Sequence, residues 1–336
     1  MNRGLDVMVL MDDVAIPQED RELMGKSSAG LTEGHVSRAL RELGHRVRVV
    51  GVANDVGSVM KALAEGRPEL VFNLTEQFAD KRQFDTNVAG LMEMMKIPFT
   101  GTGSTGLMLC RDKGLCKELL SFHRIRVPGF VTVAPGKHLR APRKLRFPMI
   151  VKPTLEDGSD GISMESLVKD AEELVKRVRF VHERWKQEAI AEEYVEGREL
   201  YVGVLGNERL TALPPRGIDF GEFVGQRPLI ATAKVKHDPE YREKWKIRYG
   251  PAELTELEFR RVSRVSKRIY RILRMKDFGR IDLRLTPTGE ILFLEANPNP
   301  DIGRNEEVAE AAEAAGIKYT PLVDRIVKLA LKRYET

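Results

Sequence analysis

The sequence predicts an α/β (α+β) protein of more than one domain, and three observations carry that prediction. Residues 1–100 alternate apolar runs with helical segments over short connections, the pattern of a parallel, Rossmann-like sheet. Residues 278–303, FGRIDLRLTPTGEILFLEANPNPDIG, set two apolar runs on either side of a Pro-Gly turn, which reads as an antiparallel hairpin. A length of 336 residues exceeds one ordinary core and points to two or three domains. Hydrophobic content of 42% and charged content of 31% describe a soluble globular chain. Its longest apolar runs are about five to seven residues, too short to span a membrane.

Each element follows from local signals. Residues 5–10 read as a buried strand and 12–30 as a polar loop. The start, MNRGLDVMVLMDD, has no long apolar core or small-residue cleavage site, so it reads as that strand and not as a signal peptide. Thr32 can cap a helix to Leu43, with Gly44 as its stop. Residues 46–52 and 70–73 read as strands, with a helix capped by Asp55 between them. A helix over 84–95, a strand over 97–100 and a helix over 111–123 follow. No G-x-G-x-x-G follows the first strand, so a dinucleotide fingerprint is absent. Strands are predicted over 129–133, 147–152, 188–195 and 200–205, with a helix over 170–184. Residues 153–163, PTLEDGSDGIS, form either a plain hairpin loop or a loop whose N–H groups close over phosphates. Residues 214–250 lack periodicity and read as a long functional or disordered stretch. Residues 254–273 form a basic amphipathic helix, 306–315 an Ala/Glu helix, and Thr320-Pro321 opens a last helix.

Charge and cysteine usage exclude several classes. A net charge of +5 is spread over interspersed Lys, Arg, Glu and Asp, so a mixed solvated surface is expected, with no nucleic-acid or membrane partner. Cys110 and Cys116 suit neither a zinc pair nor a redox pair, so ordinary thiols in a reducing cytoplasm are expected.

The hairpin carries the chemistry. Alternation puts Arg280, Asp282 and Arg284 on one face, and Glu295 and Asn297 on one face with Ile291 and Phe293. Pairing around residues 286–290 then brings Asp282, Glu295 and Asn297 together beside Arg280. Acidic groups inside apolar strands need a cation or donor, and three oxygen-bearing side chains suit Mg²⁺. The same spacing also fits a hairpin whose polar face meets water.

Five segments in order resemble the ATP-grasp superfamily, and within it the D-alanine–D-alanine ligase family. Residues 278–297 resemble its R-x-D and L-E-x-N strands, and IPFTGTGSTGLMLCRDK at 97–113 its I-P-Y-T-G-x-G run ending in S-x-D-K. FPMIVKP at 147–153 is similar to its phosphate-lysine strand, AEEYVEGRE at 191–199 to its adenine and ribose strand, and VFNLTE at 71–76 to its N-terminal domain. The resemblance implies a three-domain ATP-grasp architecture over 1–112, 113–195 and 196–336, with ATP between the last two. It implies a ligase that phosphorylates a carboxylate with Mg²⁺–ATP (Mn²⁺ being an alternative ion) and lets an amine attack the acyl phosphate. Lys113 and Lys152 would hold phosphates. Asp282, Glu295 and Asn297 would bind the metal, and Arg280 would stabilise developing charge. Glu192 and Glu199 would receive adenine and ribose, with Glu193, Tyr194 and Val195 framing the base. Gly158, Ser159 and Gly161 would cover the phosphates, and Lys234 would belong to a mobile loop that excludes water. The implied partners are small amino-acid or peptide substrates, and a homodimer is implied by resemblance alone.

The chain also departs from the family. Asp301 stands where a Gly lets backbone approach the second amino acid. Val235 follows Lys234 where an aromatic is usual, and the N-terminal G-G-x-S-x-E signature is absent. A carboxylate–amine ligase with substrates other than two D-alanines is therefore expected. A D-alanine–D-alanine ligase with a divergent N-terminal site and a non-catalytic nucleotide binder are the rivals.

Overall fold

A computed structural model describes residues 4–12, 32–137, 145–156, 161–223 and 230–335. Its first sheet is parallel, in the order β2-β1-β3: β1 (Asp6–Asp12), β2 (Arg46–Val52) and β3 (Leu70–Leu74). Both faces are covered, which is why β1 reads as an unbroken apolar run. Val7, Val9 and Met11 share a core with α1 (Thr32–Glu42). Met8 and Leu10 point the other way, towards Val59 of α2 (Gly57–Glu65) and Val88, Ala89 and Met92 of α3 (Asp85–Met94).

Two expectations change here. Residues 97–100 make only an isolated parallel bridge, Val71 to Phe99. The helix expected over 111–123 is α5 (Lys113–Phe122), and a helix not expected, α4 (Ser104–Arg111), runs directly into it. Asp112 breaks them because its side chain accepts from Leu115 N at 2.9 Å as the N-cap of α5. Both cysteines are buried free thiols, and burial pushes Cys116 up to about 12.

The second sheet is antiparallel, in the order β4-β7-β5-β6: β4 (Phe130–Val133), β5 (Met149–Pro153), β6 (Leu167–Val168) and β7 (Ala189–Glu193). Helix α6 (Ala171–Trp185), capped by Asp170, closes its core through Leu174, Val178 and Val181.

The third sheet is antiparallel along β11-β10-β8-β12-β13, with β9 beside β8. Its strands are β8 (Arg198–Leu205), β9 (Thr211–Ala212), β10 (Arg216–Asp219), β11 (Arg248–Pro251), β12 (Phe278–Leu285) and β13 (Ile291–Asn297). Much of the stretch expected to be irregular is therefore ordered, since α7 (Ala233–His237) and α8 (Pro239–Trp245) lie between β10 and β11. These elements are four to seven residues long, too short for periodicity to show. Helix α9 (Glu256–Ile272) starts with a Thr255–Glu258 capping box.

Helix α10 (Glu307–Ala314) follows β13, and α11 (Tyr319–Tyr334) returns to the first sheet. Leu322, Val323 and Ile326 share the core of Val7 and Val9. Thr320 is not the cap of α11: Lys318 is, and the Thr320 hydroxyl donates to Glu42 Oε2 at 2.8 Å.

Candidate active site

The hairpin builds the centre of the site. Arg280 faces Asn297 and Asp282 faces Glu295 across β12 and β13, but the register shifts between Asp282 and Leu283. Leu283 then pairs with Phe293, leaving Leu294 as the extra residue of a β-bulge. The expectation that Glu295 shares a face with Phe293 is therefore corrected. Phe293 joins Leu283 and Ile281 in the core, while Glu295 emerges beside Asp282. A strict alternation would have buried the carboxylate with the ring.

The acidic groups meet cations of the chain itself. Arg280 Nε donates to Asp282 Oδ1 at 2.8 Å, and Asn297 Nδ2 donates to Asp282 Oδ2 at 3.2 Å. Lys113 Nζ lies 2.7 Å from Glu295 Oε1. Burial raises Asp282 above the usual carboxylate range despite Arg280. Glu295 is held below that range: against the burial penalty, the charges of Lys113, Lys152 and Lys236 keep it ionised. Among the described residues no three His, Cys, Asp or Glu gather as a metal cluster. The set here is two carboxylates and an amide, a hard-oxygen donor set that fits Mg²⁺.

A second constellation lies under the middle sheet. Glu192 is buried, with Lys152 Nζ 3.2 Å from Oε2 and Lys117 Nζ 3.4 Å from Oε1. The two lysines hold it below the usual carboxylate range although burial alone would raise it. Oε1 is enclosed and, apart from the Lys117 charge, accepts no hydrogen bond among the described residues. Lys117, 0% exposed, also donates to the bulge carbonyl Leu294 O at 2.9 Å and lies 5.1 Å from the Phe293 ring centroid. It ties the Glu192 strand to the Glu295 strand. Sequence reasoning missed it, although its spacing of four from Lys113 puts both on one face of α5.

The remaining expected residues are placed as follows. Glu199 is buried and accepts from Arg284 at 3.0 Å and from the Tyr201 hydroxyl at 2.9 Å. Glu193 accepts from Arg146 N, and Tyr194 N donates to Pro148 O, which fixes the chain before the half-buried Val195. Gly161 has φ +76°, and its carbonyl accepts from Arg177 at 2.7 Å and from Ser166. Gly158 and Ser159 lie outside the described residues. Lys234 is exposed, whereas Lys236 is half-buried and lines a cavity beside the hairpin.

That cavity, of about 680 Å³, lies between the first sheet and the hairpin. Thr75, Glu76, Arg82 and Arg111 line one side, and Arg280, Asn297, Asp301 and Glu306 the other. Thr102 N donates to Asn299 Oδ1 at 2.8 Å, which pins the run after β13 to residues 97–104. Asp301 accepts from Gly303 N at 2.8 Å and from the Thr32 hydroxyl. Burial, and then Asp301, push both Glu33 and Glu306 up to about 7.

The family described as D-ala D-ala ligase C-terminus matches residues 119–328. The chain is 29% identical to a D-alanine–D-alanine ligase of Aquifex aeolicus, over 87% of this chain and 92% of that one. It is 30% identical to an uncharacterized protein, y4sG, of Sinorhizobium fredii, over 79% and 75%. The fold superposes on the D-alanine–D-alanine ligase of Bacillus anthracis complexed with ATP, with a TM-score of 0.76 at 21% identity and 99% of each chain covered. It also superposes on the VanG D-Ala:D-Ser ligase of Enterococcus faecalis, with a TM-score of 0.70 at 19% identity, over 98% of this chain and 100% of that one. The chain thus belongs to the D-alanine–D-alanine ligase family and is an ATP-grasp carboxylate–amine ligase working with ATP and a divalent metal ion.

Proposed function

We propose that this ligase joins the carboxylate of one amino acid or small peptide to the amine of another, and that its substrates are larger and more charged than alanine. The carrying observation is the cavity of about 680 Å³, whose wall includes Arg82, Glu76, Asp301 and Glu306 around Arg280. A site for two alanines needs fewer charges and less space, because every buried charge must be matched by its ligand.

The chemistry runs in two displacements. A substrate carboxylate oxygen attacks the γ-phosphorus of ATP, and ADP leaves with the electron pair of the broken P–O bond. The amine nitrogen of the second substrate attacks the acyl carbon, and phosphate leaves with the C–O pair as the nitrogen releases a proton. Lys113 and Lys152 would hold phosphate oxygens, exchanging their present carboxylate partners for them. Glu192, whose Oε1 accepts no hydrogen bond among the described residues, would take the adenine amino group, with Glu193 to Val195 framing the base and Glu199 at the ribose. Asp282, Glu295 and Asn297 would hold the divalent ion as Mg²⁺, with Mn²⁺ as its alternative. When bound, that ion neutralises charge on the transferring group. Arg280 would face the acyl phosphate, and Gly158, Ser159 and Gly161 would form the covering loop. The domains 1–112, 113–195 and 196–336 would move as units around it.

The test is ADP and phosphate release across a panel of amino acids and dipeptides, D-alanine included. A charged amino acid or peptide is expected to stimulate release above D-alanine. D-Alanine as the best substrate would overturn the reading.

A further inference from the structure

We infer that Tyr201 is a positioning residue serving both ends of the site at once: its hydroxyl fixes the carboxylate proposed for the ribose, and its ring carries the guanidinium proposed to face the acyl phosphate. The inference rests on the ligase reading above. Strands β8 and β12 pair antiparallel, with Glu199 opposite Arg284, Tyr201 opposite Asp282 and Gly203 opposite Arg280. Alternation puts all six on one face of the sheet. Gly203 sets no side chain against Arg280, so the guanidinium leans over its diagonal neighbour, with its central carbon 5.4 Å from the Tyr201 ring centroid. The hydroxyl of the same ring donates to Glu199 Oε1 at 2.9 Å.

Two observations separate this from an ordinary core tyrosine. Tyr201 is 2% exposed and is not among the residues lining the cavity, so it acts only through the side chains it holds. Each of those side chains is fixed by other partners in all respects but the one Tyr201 supplies. Arg280 Nε and Nη2 donate to Asp282 at 2.8 and 3.1 Å, and Nη1 donates to Glu307 at 3.2 Å. These bonds run in the guanidinium plane and leave it free to tilt; a ring against its face resists the tilt. Tyr249 backs that ring, with the two centroids 5.9 Å apart. On the other side, Arg284 Nη2 donates to Glu199 Oε2 at 3.0 Å, and the Tyr201 hydroxyl holds the second oxygen. Losing the hydroxyl would let the Glu199 carboxylate turn about its bond to Arg284, and losing the ring would let Arg280 tilt.

The experiment compares Tyr201→Phe with Tyr201→Leu in the full chain. Wild-type release of ADP and phosphate with a panel substrate tests the ligase reading itself. Given that release, Tyr201→Phe keeps the ring and is expected to raise KM for ATP about tenfold, with kcat close to wild type. Tyr201→Leu loses ring and hydroxyl together and is expected to lose about tenfold in kcat as well, at saturating ATP. A tyrosine that only packs would lower the melting temperature in both variants without splitting the two constants in this way. An unchanged KM for ATP in Tyr201→Phe, or equal kcat in the two variants, overturns the inference while leaving the ligase reading intact. Should Tyr201→Leu fail to fold, Tyr201→Phe still decides through KM. Calorimetric binding of a non-hydrolysable ATP analogue needs no turnover. Tyr201→Phe should bind it about tenfold more weakly than wild type, and equal affinity overturns the inference even if no panel substrate turns over.

Discussion

The proposed nucleotide side and the proposed acceptor side of the site handle charge in opposite ways. Around Glu192, Asp282 and Glu295, carboxylates and cations interlock: Lys152 and Lys117 on Glu192, Arg280 on Asp282, Lys113 on Glu295. Around Asp301 like charges face one another, and Glu33 and Glu306 are pushed up to about 7 by burial and by their acidic neighbours. The first region is complete in itself, and on the proposed reading it would exchange partners when ligand enters. In the second, burial and acidic neighbours raise the carboxyls, so a cationic ligand would relieve them. That difference explains why one side matches its family closely and the other does not. ATP presents the same phosphates to every member, whereas the acceptor differs.

The largest expected effect tests the interlocked side. Glu295→Gln keeps the volume but removes a charge opposite Asp282. It should lower kcat by about 10³-fold, read as ADP release at saturating ATP; a loss under tenfold would break the metal assignment. Next is Lys117→Met, which leaves Glu192 with one cation instead of two and frees the Leu294 carbonyl. Removing one partner of a buried ion pair costs about 3 kcal/mol. Melting should reveal that loss, and KM for ATP should rise about tenfold. A stability loss with KM for ATP unchanged would make Lys117 a packing residue only.

Legibility follows the same division. The parallel sheet, the hairpin and the Asp282–Glu295 pairing were readable because side-chain alternation and turn chemistry are local. The bulge at Leu294 was not. It arises because Phe293 must reach the core of Leu283 while Glu295 reaches Asp282, a conflict only tertiary packing reveals. Lys117 hid for a similar reason. A lysine in an amphipathic helix reads as solvated until its buried partner Glu192, 75 residues on, is placed beside it. The resemblance singled out Lys234, but the rotation of α7, set by Val235 packing on Phe220 and Ile247, leaves Lys234 exposed and Lys236 half-buried.

The smallest effect tests the strained side and depends on pH. Glu33 and Glu306 carry protons more tightly when folded, each at about 7 against an ordinary 4.5. A carboxyl raised in this way stabilises the fold fully below about 4.5, and the contribution is lost as pH climbs through 7. Asp301 contributes to both shifts, so Asp301→Asn should return both groups towards their ordinary values. The melting temperature of Asp301→Asn minus that of wild type should therefore grow between pH 5 and pH 8, by a few degrees at most, since about 1 kcal/mol shifts a chain of this size by about 2 °C. The hydroxyl of Thr32 and the Gly303 N–H can still donate to the amide oxygen, so the local turn survives the change. A difference that stays level with pH would mean that the three acids do not sense one another. The proposed acceptor side would then be as settled as the nucleotide side, and the case for a charged substrate there would weaken with it.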